Sequence, residues 1–267
     1  MPLCNETLFA GIDAGSRAIK IALVNAAGDH VVATGTCDQG VDQAALASEL
    51  MSRILSDHHL APDGIASTVA TGYGRHAIAG ASQTVTEITC HACGVHFLHP
   101  ATAAVIDIGG QDSKFIHLGS GGLVLDFAMN DRCAAGTGRF LEVVATRLGV
   151  PIALLGETAK AADRPAVISS TCVVFAESEM IGLLAAGERP ENIVAGVCVS
   201  IASRVAAMAG RIPEGDIVFT GGVARIAGMD AALAAALKHP VSLASDPCMT
   251  GAIGAALLAA RRHGACA

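Results

Sequence analysis

Leu8-Phe9-Ala10-Gly11-Ile12-Asp13-Ala14-Gly15-Ser16, running on through Ile19-Lys20-Ile21-Ala22-Leu23-Val24, and Ala104-Val105-Ile106-Asp107-Ile108-Gly109-Gly110-Gln111-Asp112-Ser113-Lys114-Phe115-Ile116 decide the fold. Each stretch is an apolar run, a polar glycine-bearing tip and a second apolar run, the pattern of two strands joined by a tight turn. Laid over one another, they match Asp13 with Asp107, Gly15 with Gly109 and Lys20 with Lys114, all at one offset of 94. A repeated Asp-x-Gly with a lysine at fixed distance, both times after an apolar strand, indicates a duplicated unit whose two halves face each other.

Working outward, Leu46, Leu50, Ile54 and Leu55 at helical spacing predict a helix over 43–58, and a strand over 65–71 runs into Gly72-Tyr73-Gly74. Beyond the second hairpin, Phe140, Leu141, Val144 and Leu148 predict a helix that stops at Gly149 and Pro151. A further helix runs through Phe175, Met180 and Leu183 to Gly187, and another covers 195–210. A strand over 216–219 enters Thr220-Gly221-Gly222-Val223, and a last helix spans 251–262. Strands alternating with helices give an α/β class. The expected division is 1–100 plus 250–267 for one half and 101–249 for the other.

The 267 residues are 52% hydrophobic and 15% charged, enough to bury a full core and against a disordered or fibrous chain. With no Trp and one Tyr, the core has to be Ala, Val, Leu and Ile packed closely around 30 Gly. The net charge of −7 comes without a long acidic or basic run, so the electrostatic footprint of a nucleic-acid or membrane-surface binder is missing. No apolar stretch of about 18 residues and no signal-like start appear, which reads as a cytoplasmic chain. Nine scattered cysteines point to free thiols or metal ligation rather than a disulfide framework.

A buried strand ending in Asp then Gly sets a carboxylate and bare backbone N–H groups at a sheet edge, where phosphates and Mg2+ can be held. Gly15 and Ser16 would cradle β- and γ-phosphates from one half, and Gly109, Gly110 and Gln111 from the other. Asp13 and Asp107 would then stand near the metal and the attacking water. Lys20 and Lys114 either reach phosphates or cap the solvent end of a strand. Gly221, Gly222 and Val223 fit the close approach of an adenosine, although a turn or helix start would look the same.

These three segments resemble the two phosphate motifs and the adenosine motif of the acetate kinase, sugar kinase, Hsp70 and actin ATPase superfamily. The resemblance implies duplicated ribonuclease H-like, actin-like ATPase domains with a nucleotide cleft between them, and ATP as ligand. Narrower still, Asn130-Asp131-Arg132-Cys133-Ala134-Ala135-Gly136-Thr137-Gly138-Arg139-Phe140-Leu141-Glu142 and Ser169-Ser170-Thr171-Cys172-Val173-Val174-Phe175-Ala176-Glu177-Ser178-Glu179 resemble the cluster-binding segments of the activators of 2-hydroxyacyl-CoA dehydratases, within the BadF/BadG/BcrA/BcrD-type ATPases. The likeness also takes in Ala70-Thr71-Gly72-Tyr73-Gly74-Arg75, Glu87-Ile88-Thr89-Cys90-His91-Ala92 and Gly251-Ala252-Ile253-Gly254-Ala255-Ala256. It implies a homodimer that holds one 4Fe-4S cluster through Cys133 and Cys172 of each copy. It also implies a low-potential donor such as ferredoxin or flavodoxin, and one-electron delivery to an iron-sulfur dehydratase or related reductase acting on a coenzyme A thioester. ATP-driven closure, felt through Gly136 and Gly138, would change the angle between the cluster-bearing helices.

The residues agree with that reading, because such a cluster needs four thiolates and each copy offers a pair at helix starts, where partial positive charge favours thiolate. Read as packing, the same two cysteines are small hydrophobes at helix caps. Cys90-His91-Ala92-Cys93, with His96 and His99, has zinc-like spacing but no second ligand pair, and reads as an ordinary amphipathic helix. Glu177 and Glu179 read as acids supporting the cluster or the dimer, and Arg139 with Glu142 as a solvated pair. Two rival functions stand beside the activator: a permanent subunit of a benzoyl-CoA-reductase-like complex, and a conventional kinase or chaperone-type ATPase without a cluster.

Overall fold

The computed structural model describes residues 7–169 and 172–266. The chain divides into two compact units, 1–100 with 119–124 and 248–267, and 101–118 with 125–247. The short 119–124 segment therefore leaves the second unit's sequence and packs with the first.

In the first unit, β1 (Leu8–Ala14), β2 (Ala18–Asn25), β3 (Val31–Asp38), β4 (Ile65–Thr71) and β5 (Gln83–Thr84) form one sheet in the order β3-β2-β1-β4-β5. β1 is antiparallel to β2 and parallel to β4, the crossover running through α1 (Gln43–Asp57). Every residue of β1 is buried, as a central strand covered on both faces requires. Alternation then sorts its side chains: Leu8, Ala10, Ile12 and Ala14 pack with Ala47, Leu50, Ile54 and Leu55 of α1. Phe9, Gly11 and Asp13 point the other way, toward α8 (Thr250–Cys266). Asp42 caps α1, its carboxylate accepting from the Ala45 N–H at 3.0 Å.

The helix α2 (Glu87–Leu98) differs from its expected amphipathic form, since Cys90, His91, Ala92, Cys93, Gly94 and Val95 are buried in succession. The reason is its crossing with α8. A Cβ at Gly94 would stand 2.0 Å from the Thr250 carbonyl oxygen, and one at Gly254 would stand 1.8 Å from that of Cys90. Two bare Cα atoms let the backbones touch and close α2 on all sides.

The second unit repeats the plan. β6 (Thr102–Ile108), β7 (Ser113–Leu118), β8 (Val124–Asn130), β9 (Asp216–Thr220) and β10 (Val241–Leu243) assemble in the order β10-β9-β6-β7-β8. β6 is antiparallel to β7 and parallel to β9. Strand for strand this is the first sheet again, with a longer crossover carrying α3 (Gly138–Leu148), α4 (Leu155–Lys160), α5 (Val173–Ala185) and α6 (Pro190–Met208), while α7 (Met229–Leu237) links β9 to β10. Ala104, Ile106, Ile108 and Phe115 bury against Phe140, Leu141, Val144, Ile201, Val205 and Leu233, an aliphatic core with few aromatics as the composition dictates. Among the described residues α6 is the one helix long and apolar enough to cross a membrane, and half of that stretch is buried in this unit. α6 starts at Pro190, five residues before the expected boundary, because proline at the first turn begins a helix without loss of a hydrogen bond.

Candidate functional site

The two hairpins deliver the same local chemistry. Asp13 lies opposite Lys20 in the β1–β2 register, and the Lys20 Nζ donates to Asp13 Oδ2 at 3.0 Å. Asp107 lies opposite Lys114 in β6–β7, with Lys114 Nζ 3.1 Å from Asp107 Oδ2 and 2.8 Å from Asp112 Oδ2. Lys114 is only 1% exposed, so it does not cap the solvent end of a strand; its ammonium is held inside the unit by two carboxylates. The turns close on backbone bonds, Gly15 N–H to the Ala18 carbonyl at 3.1 Å and Gly109 N–H to that of Asp112 at 2.9 Å. Ser16 and Gly110 are half-buried beside these turns and Gln111 is exposed.

A second duplication appears only in the structure. Thr71 pairs with Asp13 across β1–β4, and Thr220 pairs with Asp107 across β6–β9. Each threonine is followed by a glycine with positive φ, +91° at Gly72 and +89° at Gly221. A Cβ at either would stand 2.6 Å from the neighbouring aspartate's Oδ1, and 2.5 Å from the Ala14 carbonyl oxygen or 2.4 Å from that of Ile108. Glycine is required there by conformation and by space together. The Gly221 N–H and the Thr220 hydroxyl both donate to the Pro247 carbonyl, at 2.8 and 2.6 Å. The Thr-Gly after a buried strand was the available sequence signal, hidden because the unequal crossovers break the common offset.

In the second unit the cysteine loop is tied to the Asp107 turn. Asn130 clamps Cys133 from both sides, its Oδ1 accepting from the Cys133 N–H at 3.0 Å and its Nδ2 donating to the Cys133 carbonyl at 2.8 Å. After the turn at Ala134–Gly136, Thr137 caps α3, and the N–H groups of Gly138 and Arg139 donate to the carbonyls of Gly109 and Gly110, each at 2.9 Å. A Cβ at Gly138 would meet the Gly109 carbonyl at 3.0 Å and Val223 Cγ2 at 3.3 Å. Gly109, Gly110, Gly138 and Val223 are thereby brought together, with Gly136 buried one turn earlier and Gly222 exposed beside Val223.

Cys172 is exposed at the N-cap of α5, and residues 170 and 171 of its segment lie outside the described residues. Cys133 is half-buried at its own helical turn. Of the acids beyond Cys172, Glu177 pairs with Arg147 and so joins α5 to α3, and Glu179 accepts from the Ser169 N–H and hydroxyl at 2.9 and 2.6 Å. Arg139 and Glu142 form the expected surface pair at 2.8 Å.

Four other cysteines have thiols held above their ordinary range. Burial pushes the Cys90 thiol up to about 12 and that of Cys198 to about 11, and raises Cys93 as well. Cys37, half-buried, is also raised by burial. Cys4 lies outside the described residues. Cys172 at the start of α5 and half-buried Cys133 at its turn offer the thiol sulfurs that a soft iron-sulfur centre would need.

Two units of one repeated β3-β2-β1-β4-β5 plan, each with Asp-x-Gly at the end of its central strand, define the fold of the actin-like and sugar-kinase-like class. A glucokinase of the ROK family from Streptomyces griseus, solved with glucose and AMPPNP, shares this fold at a TM-score of 0.60 and 12% identity, over 95% of this chain and 99% of that one. The chain belongs to the BadF/BadG/BcrA/BcrD ATPase family, which matches residues 10–259. It is 44% identical over 254 residues to the activator of lactoyl-CoA dehydratase from Anaerotignum propionicum, covering 93% of this chain and 96% of that protein. It also superposes with a TM-score of 0.91 and 38% identity on the activator of the 2-hydroxyisocaproyl-CoA dehydratase from Clostridium difficile with bound ADPNP, over 97% of both chains.

Proposed function

We propose that this protein is an ATP-dependent one-electron activator that reduces a partner 2-hydroxyacyl-CoA dehydratase or related reductase through a 4Fe-4S cluster shared by a homodimer. The observation that carries the reading is the pair of hydrogen bonds from Gly138 and Arg139 to Gly109 and Gly110. They join the backbone that follows Cys133 to the turn that follows Asp107, so a phosphate-induced shift of that turn moves the cysteine loop.

In this reading Gly15, Ser16 and Lys20 of the first unit, and Gly109, Gly110 and Gln111 of the second, bind phosphate oxygens with backbone N–H groups and side-chain donors. Asp13 and Asp107 offer the hard oxygen ligands that Mg2+ prefers, directly or through water, and Gln111 orients the attacking water. Gly221, Gly222 and Val223 receive the adenosine. Cys133 and Cys172 of two copies supply the four thiolates, and the exposure of Cys172 fits a group held at the surface of a two-fold interface. When bound, the cluster supplies one-electron storage at low potential. A low-potential donor such as ferredoxin or flavodoxin would supply that electron.

Iron and acid-labile sulfide of anaerobically purified protein, with its mass in solution, test this reading. Four irons per dimer, lost in Cys133→Ser and in Cys172→Ser, are expected. Iron-free protein that hydrolyses ATP after anaerobic reconstitution refutes the electron-transfer role, and a stable hetero-oligomer in place of the dimer supports a reductase subunit instead.

A further inference from the structure

Between the end of β8 and the turn at Ala134–Gly136 the chain makes a short excursion, Asn130-Asp131-Arg132-Cys133. The side chains of Asp131 and Arg132 are 54% and 95% exposed and meet each other at 3.9 Å, so neither ties the excursion to the unit. The Asn130 amide does. Its Oδ1 accepts from the Cys133 N–H at 3.0 Å and its Nδ2 donates to the Cys133 carbonyl at 2.8 Å, so one side chain holds both polar groups of that backbone. Asparagine alone among residues of this length carries the acceptor and the donor together; aspartate keeps the acceptor and loses the donor.

Room for this grip is built into the next turn. A Cβ at buried Gly136 would stand 3.0 Å from Asn130 Nδ2 and 3.6 Å from Ser113 Oγ of β7. The missing side chain at Gly136 therefore lets the amide lie against the sheet beneath the cysteine loop.

The consequence concerns charge as well as shape. A backbone N–H beside a ligating cysteine can donate to sulfur, and hydrogen bonds to the sulfurs help set a cluster's reduction potential. Each such bond favours the reduced, more negative form. An N–H carries one hydrogen, and that of Cys133 is directed to Asn130 Oδ1.

We infer that Asn130 is a positioning residue for Cys133 that keeps the Cys133 N–H from the cluster sulfurs and so holds the reduction potential low. The inference rests on the proposed reading that Cys133 ligates a 4Fe-4S cluster. It gives Asn130 no bond to iron and no part in ATP hydrolysis.

Anaerobic redox titration and iron content of the cluster-loaded protein, with maleimide labelling of Cys133 in cluster-free protein, test it in Asn130→Ala and Asn130→Asp. Alanine frees the Cys133 N–H, whereas aspartate keeps an oxygen for it. In Asn130→Ala the ratio of reduced to oxidised cluster at a fixed poise should rise about threefold or more, the effect of roughly one net hydrogen bond. Cys133 of the cluster-free variant should also label faster than native. Asn130→Asp should show neither rise. Faster labelling with an unchanged potential in Asn130→Ala marks a clamp that serves the backbone only and overturns the inference, as does an equal rise of the ratio in both variants. If Asn130→Ala binds no iron, Asn130→Asp decides: a native or lower ratio supports the inference and a raised one overturns it. Native protein that binds no iron removes the cluster reading and the inference with it, whereas a native cluster beside an unmoved potential in Asn130→Ala removes the inference alone.

Discussion

Lys114 Nζ stands 3.1 Å from Asp107 Oδ2 across the β6–β7 register, and Lys20 makes the same cross-strand contact with Asp13 at 3.0 Å in β1–β2. The equivalence ends at burial. The side chains of the Lys114 pair are 2% and 4% exposed, against 20% and 8% for the Lys20 pair. Removing one partner of a well-buried pair strands a charge and costs about 3–5 kcal/mol, whereas exposed pairs contribute about 0–1 kcal/mol. Asp107→Ala should thus lower chemical-denaturation stability by a few kcal/mol, cushioned by Asp112. Asp13→Ala should cost clearly less. Equal losses in urea unfolding would contradict the ranking.

Gly72 and Gly221 should resist even alanine. Positive φ costs about 1 kcal/mol for an L-residue, and the backbone clash behind each Cβ adds to it, so a total near 2–4 kcal/mol is expected for either substitution. Gly228, at φ +88° with nothing within 4 Å of a Cβ, provides the control and should lose only about 1 kcal/mol. Melting of the three variants measures the difference.

Alkaline pH should destabilise the fold through Cys90 and Cys198. Their pKa values are raised from 9.0 to about 12 and about 11, so above pH 9 the unfolded chain releases protons that the folded chain retains. The unfolded state then binds fewer protons, and stability falls as pH rises. The slope is at most about 1.4 kcal/mol per pH unit for each thiol, from pH 9 until the folded thiol itself titrates. Denaturant titrations at pH 8 and pH 10 should show a drop that shrinks in Cys90→Ala with Cys198→Ala. An identical drop in the double variant would place the titration elsewhere.

Thiol labelling of metal-free protein should divide the cysteines by position. Cys172 at the exposed start of α5 should react with a maleimide first and half-buried Cys133 next. Cys90 and Cys198 should stay unmodified until unfolding, since the thiolate is the nucleophile and theirs is suppressed. Peptide mapping after timed labelling reads this order.

Asp107→Asn keeps the size of the side chain and removes the charge. Under the proposed role it should lower ATP turnover about a hundredfold or more while the chain stays folded, as loss of a group acting on developing charge does. Single-turnover hydrolysis checks it, and near-native turnover would assign the buried carboxylate to stability alone.

Much of this was legible from residue order, because the decisive signals are local. Apolar strand, glycine turn and apolar strand need only neighbouring residues to be recognised, and the shared spacing of Asp13 with Lys20 and Asp107 with Lys114 foretold which side chains would face each other. The helix start at Cys172 was visible for the same reason, whereas Cys133 opens only the single turn Ala134–Gly136 and α3 begins five residues on, at Gly138, with Thr137 as its cap. β3 and β8 were not visible, since Thr34, Gly35, Thr36, Asp126 and Asn130 blur their alternation and both lie at the outer side of a central hairpin, where pairing rather than burial makes the strand. The Thr71–Gly72 echo of Thr220–Gly221 was masked by crossovers of unequal length. Chain order fixed the duplicated α/β plan and its carboxylate turns, because backbone conformation and short-range pairing set them. The tertiary structure alone decided that Lys114 is sealed inside, that Cys90 to Val95 of α2 are buried in succession, and that Gly94 and Gly254 bring α2 and α8 into backbone contact. Those contacts join residues far apart in sequence, and only the packing of helices on sheets determines which of them touch.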